Sequence, residues 1–266
     1  MSFLEEWWLP IAVALENNTP LTPLQGIYKE IYTNLIRDDR WLSYLKGLGV
    51  TLEVSLGAII LGVLLGTLLA ILRLPQITEL SSAGKPWYRR LGIGVLKFFS
   101  GFAKVYIDLI RGTPLLLQVL IINFGIFGSV KLDKVVIGFI ACGLNSGAYV
   151  AEIVRGGIQS VDPGQTEAGR SLGLSSASTL FDIVLPQAAK SALPSLCNEF
   201  ISLIKETSIL SYIALTELTK AGDYIRSRTY SAFTPYIVSG LLYLLVTIVL
   251  TKLIGRLERR LANSDH

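Results

Sequence analysis

The chain of 266 residues has little of what soluble enzymes use for chemistry. It has one histidine, the last residue His266, and two cysteines, Cys142 and Cys197. A single terminal histidine excludes histidine-based acid–base catalysis and removes nearly all histidine-ligated metal sites. Both cysteines fall in apolar segments, where they are expected to be small buried hydrophobes. The sequence therefore predicts no metal and no cofactor held by this chain itself.

Charge is also scarce. Charged residues make up 17% of the chain, whereas typical soluble domains have about 25%. Apolar residues make up 51% and cluster in long blocks, which is typical of membrane spans. The net charge is +4, but no basic patch is interleaved with aromatic residues, so nucleic-acid binding is not expected. The composition predicts an all-α membrane protein with several spans.

Five apolar segments are predicted to form the core bundle. They cover approximately residues 50–72, 112–127, 135–154, 187–208 and 235–254. The stretch 73–111 holds seven bases and two acids, and the C-terminal tail is basic, so both are predicted to be cytoplasmic and the N-terminus outside. Within that stretch Lys97 and Lys104 interrupt an apolar run, which predicts an amphipathic helix over 91–110 at the inner face.

Residues 1–46 are predicted to be a separate outer extension, and residues 47–266 the transmembrane domain. Trp7 and Trp8 stand beside a short apolar run, which is typical of a segment at the membrane interface. A surface helix with ordinary packing explains the same residues. The sequence leaves the role of this extension open.

The loop at about 157–186 connects two predicted spans on the cytoplasmic side and carries clear helix signals. Asp162 is a good N-cap, and Pro163 suits the first helical position. Gly173 fits a C-terminal cap, so a helix is predicted over 163–172. An ordered insertion of this length exceeds what a connection needs. It is therefore either a docking helix or a plain connecting loop.

The order Glu167-Ala168-Gly169, then Gly173, then Ile183-x-Leu185-Pro186 resembles the "EAA" loop of ABC importer permeases. Other stretches are similar to the polar amino-acid branch of that family: Gly49-x-Thr51-Leu52, Arg111-Gly112-Thr113-Pro114-Leu115, Gly147-Ala148-Tyr149-x-Ala151-Glu152-x-x-Arg155-Gly156-Gly157, Leu185-Pro186-Gln187-Ala188 and Lys205-x-Thr207-Ser208. The resemblance runs from about residue 47 to the end. The third family position is usually Ala and is Gly169 here.

The resemblance implies a type I ABC importer permease fold, with a coupling helix that sits on an ATPase subunit. The coupling residues would be Gly164, Gln165, Glu167, Ala168, Gly169, Arg170, Leu172 and Gly173. It also implies a second permease, as homodimer or heterodimer, an extracytoplasmic solute-binding protein and a bacterial cytoplasmic (inner) membrane. Because the chain has no G-x-x-x-x-G-K-[ST] phosphate loop, the partner ATPase must bind ATP-Mg, and this chain is not expected to be an enzyme.

Polar side chains inside spans usually face the bundle interior or a water-filled path. The candidates for a solute path are Asn145 and Tyr149 in the third predicted span, and Ser195, Asn198, Glu199 and Ser202 in the fourth. Interhelical hydrogen bonding explains the serines equally well. An acid near mid-span needs a partner or a task, so we hypothesise that Glu199, with Asn198, meets the ammonium group of a passing amino acid. Glu152 and Arg155 are expected to pair with each other or with the coupling region.

The leading function is the permease subunit of an ATP-driven importer of polar amino acids, with basic amino acids and glutamine among the candidates. A passive channel or an ion-coupled carrier would need no docking loop, and a non-transporting scaffold leaves the polar stripe unexplained. Glu152 and Glu199 lie on separate spans without a nucleophile–base arrangement, so an intramembrane enzyme is not expected. The sequence leaves open which amino acid is carried and which dimer forms.

Overall fold

A computed structural model describes residues 3–17, 19–74 and 86–262 of the chain. Within these ranges the chain forms helices joined by short turns, and no strand occurs. The α-helices used below are α1 Phe3–Glu16, α2 Pro23–Ile31, α3 Arg40–Leu72, α4 Trp87–Arg111, α5 Leu115–Leu120, α6 Lys134–Gln159, α7 Pro163–Ser171, α8 Leu185–Glu206, α9 Leu218–Thr229 and α10 Thr234–Ala262. Wider or tighter helical turns extend several of them: Tyr32–Ile36, Ile121–Ile126, Thr179–Val184 and Thr207–Ile213. The predicted all-α fold is confirmed.

Three segments of the described residues are long and apolar enough to cross a membrane: Pro23–Leu72, Lys134–Gln159 and Thr234–Arg256. The pair Trp87–Arg111 and Leu115–Ile126 passes the same test together, although it is bent by 109°. Helix α8 is 22 residues long but carries four charged residues, so length and composition alone do not mark it as a span. The bundle of five spans stays a prediction.

Several boundaries differ from those predicted. Helix α3 begins at Arg40, ten residues before the predicted span, and α6 continues to Gln159. The predicted outer loop 209–233 is mostly helical, since it contains α9. Helix α9 begins where the Glu217 carboxylate accepts the N–H groups of Thr219 and Lys220 at 2.8 and 2.7 Å. Glutamate is not a usual N-cap residue, so no local signal predicts a helix start here.

The chain divides into two compact units. The first comprises Met1–Thr51 and Thr216–Leu245, and the second comprises Leu52–Leu215 and Val246–His266. In the first unit Tyr44 of α3 packs with Leu218 and Ile225 of α9. The Glu30 carboxylate accepts hydrogen bonds from Ser231 and Thr234 at 2.5 and 2.8 Å. The N-terminal residues therefore pack with residues 216–245, which the sequence did not predict.

The predicted interfacial tryptophans lie in this first unit. Trp8 stacks on Tyr32 with ring centroids 4.4 Å apart, while the side chain of Trp7 lies outside the described part of the chain.

Burial raises the pKa of the Glu217 carboxyl, against the hydrogen bonds that it accepts from Thr219, Lys220 and Tyr243.

The second unit is held by close contact between α3 and α6. A Cβ atom at Gly62 would lie 2.8 Å from Ser146 Oγ, and one at Gly66 would lie 2.6 Å from Val150 Cβ. Two glycines four residues apart therefore let the helix backbones approach each other. Beside this contact, α4 packs onto α3 and α6 through a cluster of buried residues: Leu69, Ala103, Ile107, Ala148 and Ala151.

Candidate functional site

Helix α7 projects between α6 and α8 and has the bounds that its sequence predicts to within one residue. Asp162 is extended and its Oδ1 accepts the Gly164 N–H at 2.7 Å, so it caps the first turn. Gly173 has a φ of +85°, in the left-handed region that favours glycine after a helix. The Arg170 guanidinium donates to the Leu174 carbonyl at 2.6 Å and closes the last turn.

Gly169 is the contact point of α7 with the turn that leads into α8. It is buried, and a Cβ atom there would lie 2.9 Å from Thr179 Cγ2 and 3.1 Å from Ile183 Cδ1. Thr179 and Ile183 belong to the π-helical turn Thr179–Val184, which continues directly into α8. Helix α7 therefore lies close against the turn at the base of α8, at a position where only a glycine leaves room for Thr179 and Ile183.

The other predicted coupling residues present their side chains outward. Gly164, Gln165, Glu167, Ala168, Arg170, Leu172 and Gly173 are all exposed. Leu172 is 83% exposed. Helix α7 therefore has one face on the Thr179–Val184 turn and the rest of its surface uncovered.

Three arginines surround one carboxylate at the end of α6 that is nearest α7. Glu152 accepts from Arg155 Nη2 at 2.5 Å and from Arg73 Nη1 at 3.2 Å, and Arg111 Nη1 lies 3.8 Å away. We call these four residues the arginine cluster. The expected pairing of Glu152 with Arg155 is confirmed, and Arg73 and Arg111 are partners that sequence reasoning missed. The cluster ties the ends of α3 and α4 to α6.

A cavity of about 850 Å³ separates the arginine cluster from α7. Its polar lining comprises Arg73, Arg155, Gln159, Thr166, Glu167, Arg170, Ser176 and Thr179. Two of these arginines already contact Glu152.

The polar side chains of α6 and α8 meet at one point. Ser146 Oγ donates to Glu199 Oε1 at 2.8 Å, so the acid in α8 has a partner across the helix pair. The sequence missed Ser146 because it lies one position from the predicted stripe of Asn145 and Tyr149. Such an interhelical hydrogen bond depends on the register of α6 relative to α8, and no local sequence pattern predicts that register.

The other residues predicted to line a solute path do not all meet at one place. Asn145 is buried and donates to Gln118 Oε1 at 2.9 Å, and Gln118 was a second polar group that the sequence reasoning missed. Tyr149 is 39% exposed and lies under Arg111, with the guanidinium carbon 5.6 Å from the ring centroid. Ser195 and Asn198 are exposed, while Ser202 is half-buried. No hydrogen bond or ion pair of the described residues joins Asn145 or Tyr149 to Asn198 or Glu199.

Several helices long and apolar enough to cross a membrane, with a short exposed helix between two of them, are typical of a polytopic membrane protein. Comparison with known proteins gives the family. A family model described as binding-protein-dependent transport system inner membrane component matches residues 91–263. The arginine transport system permease protein ArtQ of Bacillus subtilis (strain 168) is 33% identical over 223 residues, 83% of this chain and 93% of that protein.

The glutamine transport system permease protein GlnP of Escherichia coli (strain K12) is 36% identical over 193 residues, 66% of this chain and 88% of that protein. Among solved structures, a chain of an amino acid ABC transporter crystallised with histidines has 40% identity and a TM-score of 0.70, covering 82% of this chain and 94% of that chain. A chain of the MetNI methionine ABC transporter in inward-facing conformations has 14% identity and a TM-score of 0.68, and shares the fold.

The chain belongs to the family of binding-protein-dependent transport system inner membrane components. The resemblance to ABC importer permeases is therefore confirmed, and with it the type of fold. As a membrane component of a transport system, the chain is a transport subunit and not an enzyme, because ATP hydrolysis belongs to a separate subunit.

Proposed function

We propose that the chain is the permease through which an ABC importer brings polar amino acids into the cell. The support is that relatives named for arginine and glutamine transport match over most of their length, as does a solved chain of an amino acid transporter. Partners of this permease are an ATPase subunit, a second permease and an extracytoplasmic solute-binding protein. Five spans, α8 included, carry the N-terminus outside and the C-terminus inside.

The single observation that carries the mechanism is the contact of Gly169 with Thr179 and Ile183. Helix α7 is the coupling helix, and its exposed residues, with Glu167 and Leu172 among them, dock on the ATPase. When ATP binding closes the ATPase subunits, α7 moves with them. Because Gly169 rests on the turn at the base of α8, that movement tilts α8 and changes which side of the bundle is open.

The solute path follows the polar face of α8. Ser195 and Asn198 are exposed in this single chain and face the space that a second permease encloses. Glu199 is held by Ser146 at 2.8 Å, which keeps its second carboxylate oxygen available for an ammonium group. A hydrogen-bonded carboxylate attracts cationic and zwitterionic solutes, whereas a pure structural serine stripe would not distinguish charge.

The experiment is uptake of radiolabelled amino acids into proteoliposomes that contain the chain, its ATPase and its binding protein. Uptake should require ATP inside and should fail with a non-hydrolysable analogue. Accumulation at the same rate without ATP would establish a passive channel or a carrier and overturn the proposal. A screen of arginine, histidine, lysine, glutamine, glutamate and cystine in the same vesicles identifies the solute.

A further inference from the structure

Helix α4 has three distinct faces along its 25 residues. Its bundle face is formed by Ile93, Ser100, Ala103 and Ile107, which are buried. These positions follow helical spacing, so they define one side of the helix. Apart from the half-buried Tyr106 and Ile110, the rest of α4 is exposed, and its composition is what points to an occupant.

The second face of α4 is apolar and uncovered. Leu91, Val95, Phe98, Phe102 and Leu109 are between 46% and 71% exposed. They are spaced by four, three, four and seven residues, which places them on one side. A continuous exposed apolar face of this length is found on soluble proteins only where something binds it. In a membrane subunit the obvious candidates are lipid chains and a neighbouring protein.

The third face is a basic row that decides between these candidates. Arg90, Lys97 and Lys104 are each seven residues apart, about two helical turns, and all three are exposed. Neither Lys97 nor Lys104 forms an ion pair with any described residue. The row ends one turn beyond Lys104, where the exposed acid Asp108 stands on the same edge. A row of bases beside an apolar face is the composition of a helix that lies on an anionic membrane surface.

The direction of α4 is consistent with a helix that lies on the membrane surface. Its axis turns through 109° into α5 and the following turn. The side chains of Gln118 and Asn123 pair with Asn145 and Lys134 of α6 at 2.9 and 2.6 Å. The segment therefore runs antiparallel to α6. When α6 crosses the membrane, α4 lies close to the membrane plane.

We propose that α4 is a binding surface for anionic phospholipid: the row Arg90, Lys97 and Lys104 binds lipid phosphates, while the Leu91–Leu109 face enters the acyl chains. A second permease copy would cover the apolar face but offers no reason for the adjoining bases. The lipid surface explains both features together. This inference requires only that the chain is a membrane subunit, so it stands whether or not the carried solute is an amino acid.

The test places a fluorescent reporter between the two lysines. Phe98→Trp is introduced into the full chain after its four tryptophans are replaced by Phe, and the protein is reconstituted in mixed phosphatidylcholine and phosphatidylglycerol vesicles. Only one of the two lipids is brominated at a time. Quenching of the Trp by each gives the relative binding constant of the anionic over the neutral lipid beside α4.

We expect a preference for phosphatidylglycerol that falls about fivefold for each lysine removed, the factor that one base near an anionic surface provides. Lys97→Gln with Lys104→Gln should lower the ratio about 25-fold, leaving only the contribution of Arg90. The control, Lys46→Gln with Lys131→Gln, removes two exposed lysines from the predicted outer side and should leave the ratio unchanged.

Salt provides a second test that needs no substitution at the lysines. Raising NaCl to 0.5 M screens surface charge, so it should lower the preference for phosphatidylglycerol. The proposal is overturned if the Lys97/Lys104 variant and the Lys46/Lys131 control show the same preference for phosphatidylglycerol. It is also overturned if salt does not lower that preference. A Trp that neither brominated lipid quenches overturns it as well, because α4 would then be covered by protein.

Discussion

Replacing Glu152 with Gln removes the one negative charge among the three arginines of the arginine cluster. The side chain keeps its size and one carbonyl oxygen, so packing is preserved and only the charge changes. Arg73, Arg111 and Arg155 then repel one another across the ends of α3, α4 and α6. We expect the second unit to lose stability, and the loss can be sized from the contacts.

The pair Glu152–Arg73 is 3.2 Å long, with side chains 20% and 24% exposed. It lies between surface pairs, which contribute about 0–1 kcal/mol, and buried pairs, whose breaking costs about 3–5 kcal/mol. Arg155 and Arg111 are 37% and 44% exposed, so solvent reduces both to the surface value. Together the three pairs give an expected loss of about 2–3 kcal/mol.

The assay is thermal unfolding of the purified chain in detergent, with Glu53→Gln as the matched control. Glu53 is an exposed carboxylate of α3, so its substitution should leave the midpoint within about a degree. Glu152→Gln should melt several degrees lower, and 0.5 M NaCl should narrow that difference because salt screens partly exposed pairs. Equal midpoints for the two variants would refute the idea that this cluster holds the helix ends together.

Three further predictions follow from single contacts. Gly169→Ala should weaken ATP-driven uptake more than it changes the melting temperature, because Thr179 and Ile183 must shift to admit the methyl group. Uptake equal to that of the wild type would show that α7 need not approach this turn closely. Glu199→Gln should reduce uptake of cationic and zwitterionic amino acids while ATP hydrolysis persists, and unchanged uptake would make Glu199 structural. Hydrogen bonds from Lys220, Arg226 and Tyr236 lower the pKa of Asp223 to about 2. Asp223→Asn should thus cost about 1 kcal/mol or less above the unfolded carboxyl pKa of about 3.9, and this cost should decrease as the pH falls below about 4 and through the folded pKa of about 2. A cost at pH 2 as large as that at pH 7 would contradict the assignment.

Local signals were enough to predict α7. Asp162, Pro163 and Gly173 fix its two ends through backbone geometry that involves only near neighbours, and the helix lies where they place it. The spacing of Gly62 and Gly66 is likewise a local pattern that favours close helix contact. Such features depend on a few consecutive residues, so they survive in any tertiary context.

Tertiary partners could not be predicted in this way. Ser146 and Glu199 meet only because α6 and α8 adopt one register, and 53 residues separate them. Helix α9 begins at Glu217, whose carboxylate caps the helix within a buried contact to Tyr243 at 2.8 Å. A glutamate start of this kind has no sequence signature.

The turn between α4 and α5 could be predicted in part from the sequence. Pro114 disfavours helix at the preceding residue and lacks an N–H, which predicts an interruption near Thr113. The sequence therefore indicated where the chain turns. The angle of 109° could not be predicted. The Gln118 side chain donates across the turn to the carbonyls of Ile110 and Thr113 at 2.8 and 3.1 Å, and these contacts have no local sequence signature.

The most direct test of the mechanism is the number of solute molecules imported per ATP hydrolysed, measured in the same proteoliposomes for the wild type and Glu167→Arg. Glu167 is exposed on α7 and its side chain forms no hydrogen bond or ion pair with any described residue, so we expect its charge reversal to act mainly at the ATPase. We predict that this ratio falls at least tenfold, while charge reversal of exposed Lys131 leaves it unchanged. An unchanged ratio in Glu167→Arg, with the ATPase still bound, would contradict the account that force enters through α7.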